Sequence, residues 1–203
     1  MIKVKYKVVI ALTGAGISKS AGIPTFQEFP GITEKLSVTY RKAHPDGFNK
    51  TMNMLKENCS GKQPTKAHQK LAEYKVPIIT MNVDGLHKAA GSKYVLEIHG
   101  SLEEDNIVLY GQQILCADES INLIHKCSEF CQENGVDGVF LIIGTSMQTQ
   151  FANYLAAVAE DAGLEVKYIN EDADKQVPAY LDSILKDLEP KYQNLFADEI
   201  AAY

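Results

Sequence analysis

The sequence predicts a doubly wound parallel α/β sheet carrying a small helical insertion. Three observations carry that prediction. Five short apolar runs each end at a glycine or a polar cluster, helical stretches alternate with them, and one polar stretch breaks the rhythm. Residues 8–13 form the first run and close on Gly14, the pattern of a buried parallel strand entering a loop. Residues 76–81, 94–98, 138–143 and 164–169 repeat it. Helices are expected over 65–74, 119–134 and 151–162; in the second, Ile121, Ile124, Cys127 or Ser128, and Cys131 follow the spacing of an amphipathic face. The stretch from Phe26 to Gly61 contains Pro30, Pro45 and several glycines, with one helix expected over 48–57. It reads as a mobile loop and small helical insertion over the binding face. In such sheets ligands bind beyond the carboxyl ends of the strands.

The 203 residues suffice for one compact α/β domain, taken as 1–203, with the insertion at 27–62 inside it. A net charge of -6, without a Lys/Arg cluster, argues against a broad electrostatic grip on nucleic acid. No apolar run approaches the length of a membrane span. The apolar run after the charged start feeds straight into a glycine turn, so it reads as a strand and not as a signal peptide. Cys59, Cys116, Cys127 and Cys131 are spaced too irregularly for a disulfide framework, which points to the reducing cytoplasm.

Four polar clusters fall at strand ends. The first strand ends in Thr13-Gly14-Ala15-Gly16-Ile17-Ser18, followed by Gly22-Ile23-Pro24. Two glycines at a strand-to-helix turn let backbone N–H groups approach a phosphate, with a helix start behind them. The dehydrogenase fingerprint would put a third glycine at position 19, where this chain has Lys19, so the phosphate loop is of another kind. After the second run come Asn82 and Asp84, an amide and a carboxylate suited to a carboxamide and ribose hydroxyls, or simply to capping a helix. His99, with Gly100 beside it for access, holds the position of a general base, although a structural role is the default for any lone histidine. Gly144-Thr145-Ser146 and Asn170 close two further strands with groups suited to ribose and adenine, or to turn caps.

In order and together, GAGIS with GIPTF, TMNVDGLH, IHGS, IVLYG, GTSMQ and the closing IN at Asn170 resemble the sirtuins, NAD-dependent protein deacylases. The resemblance spans Thr13 to Asn170 and implies a Rossmann-like sheet with NAD as cofactor. It also implies an acyl-lysine protein or peptide as partner, without membrane or direct nucleic-acid contact. By position, Gly14, Ala15, Gly16 and Ile17 are similar to the backbone that receives the NAD diphosphate and its ribose. Phe26 resembles the aromatic that shields the reacting ribose, with Gln27 next to it in the cofactor loop. Asn82 and Asp84 resemble the catalytic pair that binds ribose and the nicotinamide amide, and His99 the base that draws a proton from a ribose hydroxyl. Gly144, Thr145, Ser146 and Asn170 resemble adenosine-side contacts, and Tyr110-Gly111 the strand that pairs with substrate peptide through its backbone. The implied reaction breaks the nicotinamide–ribose bond and passes the acyl group of a modified lysine to ADP-ribose.

The chain departs from that family in three places. Thr25 and Gln27 stand where an Asp and an Arg usually flank the aromatic, removing a permanent cation near the diphosphate. Met81 replaces the usual Gln. Only five residues separate Ser101 from Ile107, where most sirtuins insert a zinc ribbon with two cysteine pairs. His125, Cys127 and Cys131 lie close in sequence, but on one helix they read as core packing; no zinc ribbon and no metal ligands are expected. These departures keep three alternatives in view: ADP-ribosyl transfer to a protein, NAD hydrolysis, and non-catalytic sensing of NAD or ADP-ribose.

Overall fold

Five successive residues of the first strand, Val8 to Leu12, can be apolar on both faces only if helices cover both faces of the sheet. A computed structural model, which describes residues 7–147, 149–185 and Phe196, has that arrangement. The strands are β1 (Lys7–Thr13), β2 (Ile78–Thr80), β3 (Val95–Glu97), β4 (Asp137–Ile143) and β5 (Glu165–Ile169). All pair in parallel, in the order β3-β2-β1-β4-β5. The chain order therefore reverses between β1 and β4, and a crevice opens at their carboxyl ends. This is the Rossmann-like sheet expected from the apolar runs.

The pleat divides the core. Val8, Ile10 and Leu12 of β1 join Phe140 and Ile142 of β4 on one face, under α6 (Ala117–Asn134) and α7 (Gln150–Asp161). Val9 and Ala11 join Val139, Leu141 and Ile143 on the other, under α4 (Lys66–Glu73) and α8 (Ala173–Leu185). Helix α8 has no counterpart among the expected elements. Its Pro178 argues against a helix, at a cost of about 3 kcal/mol. Ala173, Val177, Leu181 and Leu185 nevertheless form a buried stripe at four-residue spacing, and that burial outweighs the proline.

The stretch expected to hold one helix holds three: α1 (Ile32–Lys35), α2 (Val38–Ala43) and α3 (Pro45–Cys59). Ile32, Leu36, Phe48 and Leu55 from this stretch pack with Leu102 and Leu109, so the insertion has its own small core against the segment after β3. A further short helix, α5 (Leu86–Ala89), follows β2. The ends of the expected 1–203 domain, residues 1–6 and 186–203 apart from Phe196, lie outside the described residues, as does Gln148 of GTSMQ. Phe196 is buried beside Phe130, with ring centroids 5.5 Å apart.

At the switch point the turns after β1 and β4 touch backbone to backbone. Gly16 N donates to Gly144 O at 2.8 Å, and a Cβ on Gly16 would lie 2.6 Å from Gly144 Cα. Gly144 has φ +62 and a Cβ there would strike the Ile17 amide. Gly135 has a similar φ of +63 with nothing within 4 Å, which makes it the control. Gly135→Ala is expected to cost about 1–2 kcal/mol, and Gly144→Ala at least about 1 kcal/mol more, read as shifts of the urea unfolding midpoint. Equal costs would mean that the close approach is not what requires glycine at 144.

Candidate active site

After β1 the chain enters a 3-10 helix, Ala15–Ala21, which ends at Gly22 in the left-handed region. The N–H of Gly16 is used by Gly144 O and that of Ile17 by Gly14 O at 3.2 Å. Gly14 N donates to Ile143 O at 2.9 Å, so of the four amides expected at the diphosphate only that of Ala15 has no backbone acceptor among the described residues. The sequence could not show this, because the competing carbonyl comes from a turn 128 positions away, at Gly144.

Ser18 lies on the buried side of the same 3-10 helix and binds both polar residues that follow β2. Its hydroxyl donates to Asp84 Oδ2 at 2.7 Å and accepts from Asn82 Nδ2 at 3.2 Å. The other Asp84 oxygen accepts the Leu86 N–H at 3.0 Å, so Asp84 also caps α5. Asn82 is 8% exposed and Asp84 is half-buried. Capping and site roles thus coincide in one carboxylate. Ser18 received no role from the sequence, although its place three residues after Ala15 in GAGIS was a usable signal.

His99 follows β3 and is held through its ring. Its Nδ1 lies 3.1 Å from Met81 O, and because a carbonyl only accepts, the proton sits on Nδ1 and Nε2 is a bare base. Burial lowers the His99 pKa from 6.5, partly offset by the hydrogen bond to Met81. Gly100 (φ +75) lets the chain turn back so closely that a Cβ would meet Asn106 O. The turn between Ser101 and Ile107 is closed by Ser101 N donating to Asn106 Oδ1 at 2.7 Å. Ion pairs pin it: Lys56 with Asp105, and Lys88 with both Glu97 (2.6 Å) and Glu104 (3.0 Å).

On the far side of the crevice, Thr145 N donates to Asn170 Oδ1 at 3.1 Å, which joins the turns after β4 and β5; Ser146 and Asn170 are exposed there. Met81 turns its thioether to the Thr149 hydroxyl, 3.4 Å away. Phe26 begins a short 3-10 turn and is 36% exposed, and Gln27 is exposed and makes no hydrogen bond among the described residues. Thr25 does not leave the loop unsupported: its N–H and hydroxyl both donate to Glu28 Oε2, at 2.7 and 2.9 Å, and these bonds lower the Glu28 pKa.

Tyr110 differs from the expectation for a free peptide-pairing strand. Tyr110 N donates to Leu36 O at 2.9 Å and Tyr110 O accepts from Val38 N at 3.2 Å, a parallel bridge to Ser37. Its backbone is committed to the insertion, and Gly111 is the member of the pair left over. His125 is exposed on α6 while Cys127 and Cys131 are buried against Gly138; no group of three potential metal ligands occurs among the described residues.

The donors and acceptors at the strand ends fit a dinucleotide: hydroxyls and amides at Ser146 and Asn170, an amide and a carboxylate at Asn82 and Asp84, and a bare imidazole nitrogen at His99. Comparison with known proteins agrees. An NAD-dependent protein deacetylase of Saccharolobus solfataricus is 40% identical over 110 residues, covering 49% of this chain but only 44% of that relative. NAD-dependent protein deacylase 2 of Pyrobaculum aerophilum is 28% identical over 204 residues, covering 83% of this chain and 82% of its own. Among solved structures, a Sir2 homologue–NAD complex superposes with a TM-score of 0.76 at 22% identity, over 90% of this chain and 91% of that one, which shows the shared fold. A sequence model of the Sir2 family matches residues 14–132, from the glycine turn through His99 to α6, and the chain belongs to the Sir2 family, the sirtuins.

Proposed function

We propose that the protein is an NAD-dependent protein lysine deacylase with His99 as its general base. The observation that carries this reading is the pinned His99 tautomer beside the Asn82–Ser18–Asp84 chain. The names of the relatives support it, as do solved family structures bound to acetylated and propionylated peptides. Bound NAD supplies the ribose carbon that takes the acyl oxygen and the nicotinamide that leaves. Phe26 and Gln27 form the cofactor loop in this reading, and the three helices within 27–62 form the small subdomain.

The chain's own groups then have definite tasks. Ser18 fixes the Asp84 carboxylate and the Asn82 amide, so neither has to be ordered when a ribose or carboxamide arrives. Ala15 N–H and the exposed Ser146 and Asn170 hold the diphosphate and adenosine side. His99 Nε2 takes the proton of a ribose hydroxyl, while the Nδ1–H bond to Met81 O steadies the ring as charge develops. Gly111 offers backbone to a peptide strand.

The enzyme works without structural zinc in this reading. The 101–107 turn, closed by Asn106 and the Lys56 and Lys88 ion pairs, stands where the zinc ribbon would be inserted. The four free cysteines fit a reducing cytoplasm, and no described helix is long and apolar enough to cross a membrane.

Incubation with NAD and an acyl-lysine peptide is expected to lower peptide mass and release nicotinamide only when both are present. A gain in mass would instead show ADP-ribosyl transfer, peptide-independent release would show NAD hydrolysis, and neither change would leave a sensor. His99→Ala is expected to lower kcat/KM by about 10²-fold or more while NAD still binds in calorimetry; full activity would overturn the assignment. Because burial lowers the His99 pKa, the base is neutral at pH 7. The acid limb of kcat/KM is therefore expected below 6.5, and a limb above 6.5 contradicts the role. Dialysis against a strong zinc chelator is expected to leave both the Tm and the turnover unchanged.

A further inference from the structure

Behind the Asn82–Ser18–Asp84 chain runs a second buried polar line that deacylation does not use. His87 of α5 is 2% exposed, with Nε2 2.9 Å from Thr13 Oγ1. His68 of α4 is fully buried, with Nδ1 3.3 Å from Thr65 N. The two ring centroids are 4.5 Å apart at an interplanar angle of 57°.

The proton positions follow from the partners. His68 Nδ1 also lies 2.8 Å from Thr65 Oγ1, whose hydroxyl has Ile17 O at 3.2 Å as its other acceptor. The Thr65 N–H aimed at the same nitrogen can only donate, so Nδ1 is bare, the hydroxyl turns its proton to it, and a neutral His68 carries its proton on Nε2. Thr13 gives its single hydroxyl proton to Thr80 Oγ1 at 2.8 Å, so Thr13 accepts from His87 Nε2–H and His87 Nδ1 is bare. Two ring atoms remain, His68 Nε2 and His87 Nδ1, both buried and without a hydrogen-bond partner among the described residues. One is a donor and the other an acceptor. Left apart, each costs about 1–3 kcal/mol; satisfied by each other, neither does. Burial also keeps both rings neutral. It lowers His68 to about 4 against the pull of Asp84 and Asp174, and puts His87 well below its ordinary value.

We propose that His68 and His87 are positioning residues of the cofactor site, His68 Nε2–H donating to His87 Nδ1 directly or through one water. The line Thr65–His68–His87–Thr13–Thr80 then has a single direction. It fixes the Thr80 hydroxyl oxygen that accepts Asn82 N–H at 3.1 Å, and through it the backbone from which Asn82 and Asp84 project. The functional half of this inference rests on the reading of Asn82 and Asp84 as NAD-binding groups; the protonation pattern does not.

The test has two arms. In the full-length protein labelled with ¹⁵N-histidine, long-range proton–nitrogen spectra are expected to show both rings neutral with the proton on Nε2, unchanged between pH 6 and 8. An Nδ1–H tautomer on either ring, or titration near 6.5, overturns the proposal whether or not the protein deacylates peptides. In the kinetic arm, His87→Leu is expected to raise the KM for NAD about tenfold, the worth of one such hydrogen bond, with the peptide KM and the His99 acid limb unchanged. His87→Gln keeps a donor toward Thr13 and is expected to recover part of that loss. A fall in Tm without separation of the two KM values, or without recovery by Gln, would reduce the pair to core packing and overturn the positioning role. If no peptide is turned over, NAD affinity by calorimetry replaces the KM, so failure of the deacylase reading is told apart from failure of this one.

Discussion

The hydrogen bond from Gly16 N to Gly144 O closes the one place where two strand-end turns meet without side chains between them. It requires β1 and β4 to be adjacent and in register over all seven residues of each strand, which the parallel pairing provides. It also requires glycine at 14, 16 and 144, since a Cβ at any of them would come within 3 Å of the other turn. From that crossing the rest of the crevice is laid out. Ser18 is carried down onto Asn82 and Asp84 on one side, and Thr145 is presented to Asn170 on the other. Loosening the crossing would separate the Thr145–Asn170 side of the crevice from the Ser18–Asn82–Asp84 side, so the glycines serve alignment more than flexibility.

The strands were legible because burial on both faces leaves an unbroken apolar run, and their polar ends were legible because a parallel sheet puts them all at one edge. What stayed hidden depends on partners distant in sequence. Tyr110 reads as an open strand until Leu36 and Val38 are seen to occupy it, and Gly16 reads as a free amide until Gly144 O is placed. Helix α8 was concealed by Pro178, whose local penalty is overridden by packing against β5 and α4. His68 and His87 lie on different helices, 19 positions apart, and nothing in either local pattern marks them as a pair. The place of His99 at a strand end, by contrast, was legible, and the structure adds its tautomer.

The turn between Ser101 and Ile107 is closed largely by its own side chains. Its polar atoms are used within a few residues: Asn106 binds the Ser101 amide and Glu104, and Ser101 Oγ accepts from Glu103 N at 3.2 Å. The lysine pairs at its rim are exposed and individually weak. Glu97 differs, with a side chain only 11% exposed, so its pairing with Lys88 keeps a nearly buried carboxylate from being left alone beside β3. Glu97 is the last residue of β3, and only Ile98 separates it from His99.

The bridge between Ser37 and Tyr110 ties the helical insertion to the segment that follows His99. Residues 36–38 and Tyr110 share two backbone hydrogen bonds, and Val108 N is bonded in turn to His99 O. A displacement of the insertion is therefore passed along a continuous backbone path, or else two hydrogen bonds break. Whatever occupies the crevice first and shifts residues 36–38 resets the edge that meets the second ligand. By thermodynamic reciprocity the second ligand must act back on the first with the same energy. Any coupling between the insertion and the segment after His99 runs through this short parallel bridge.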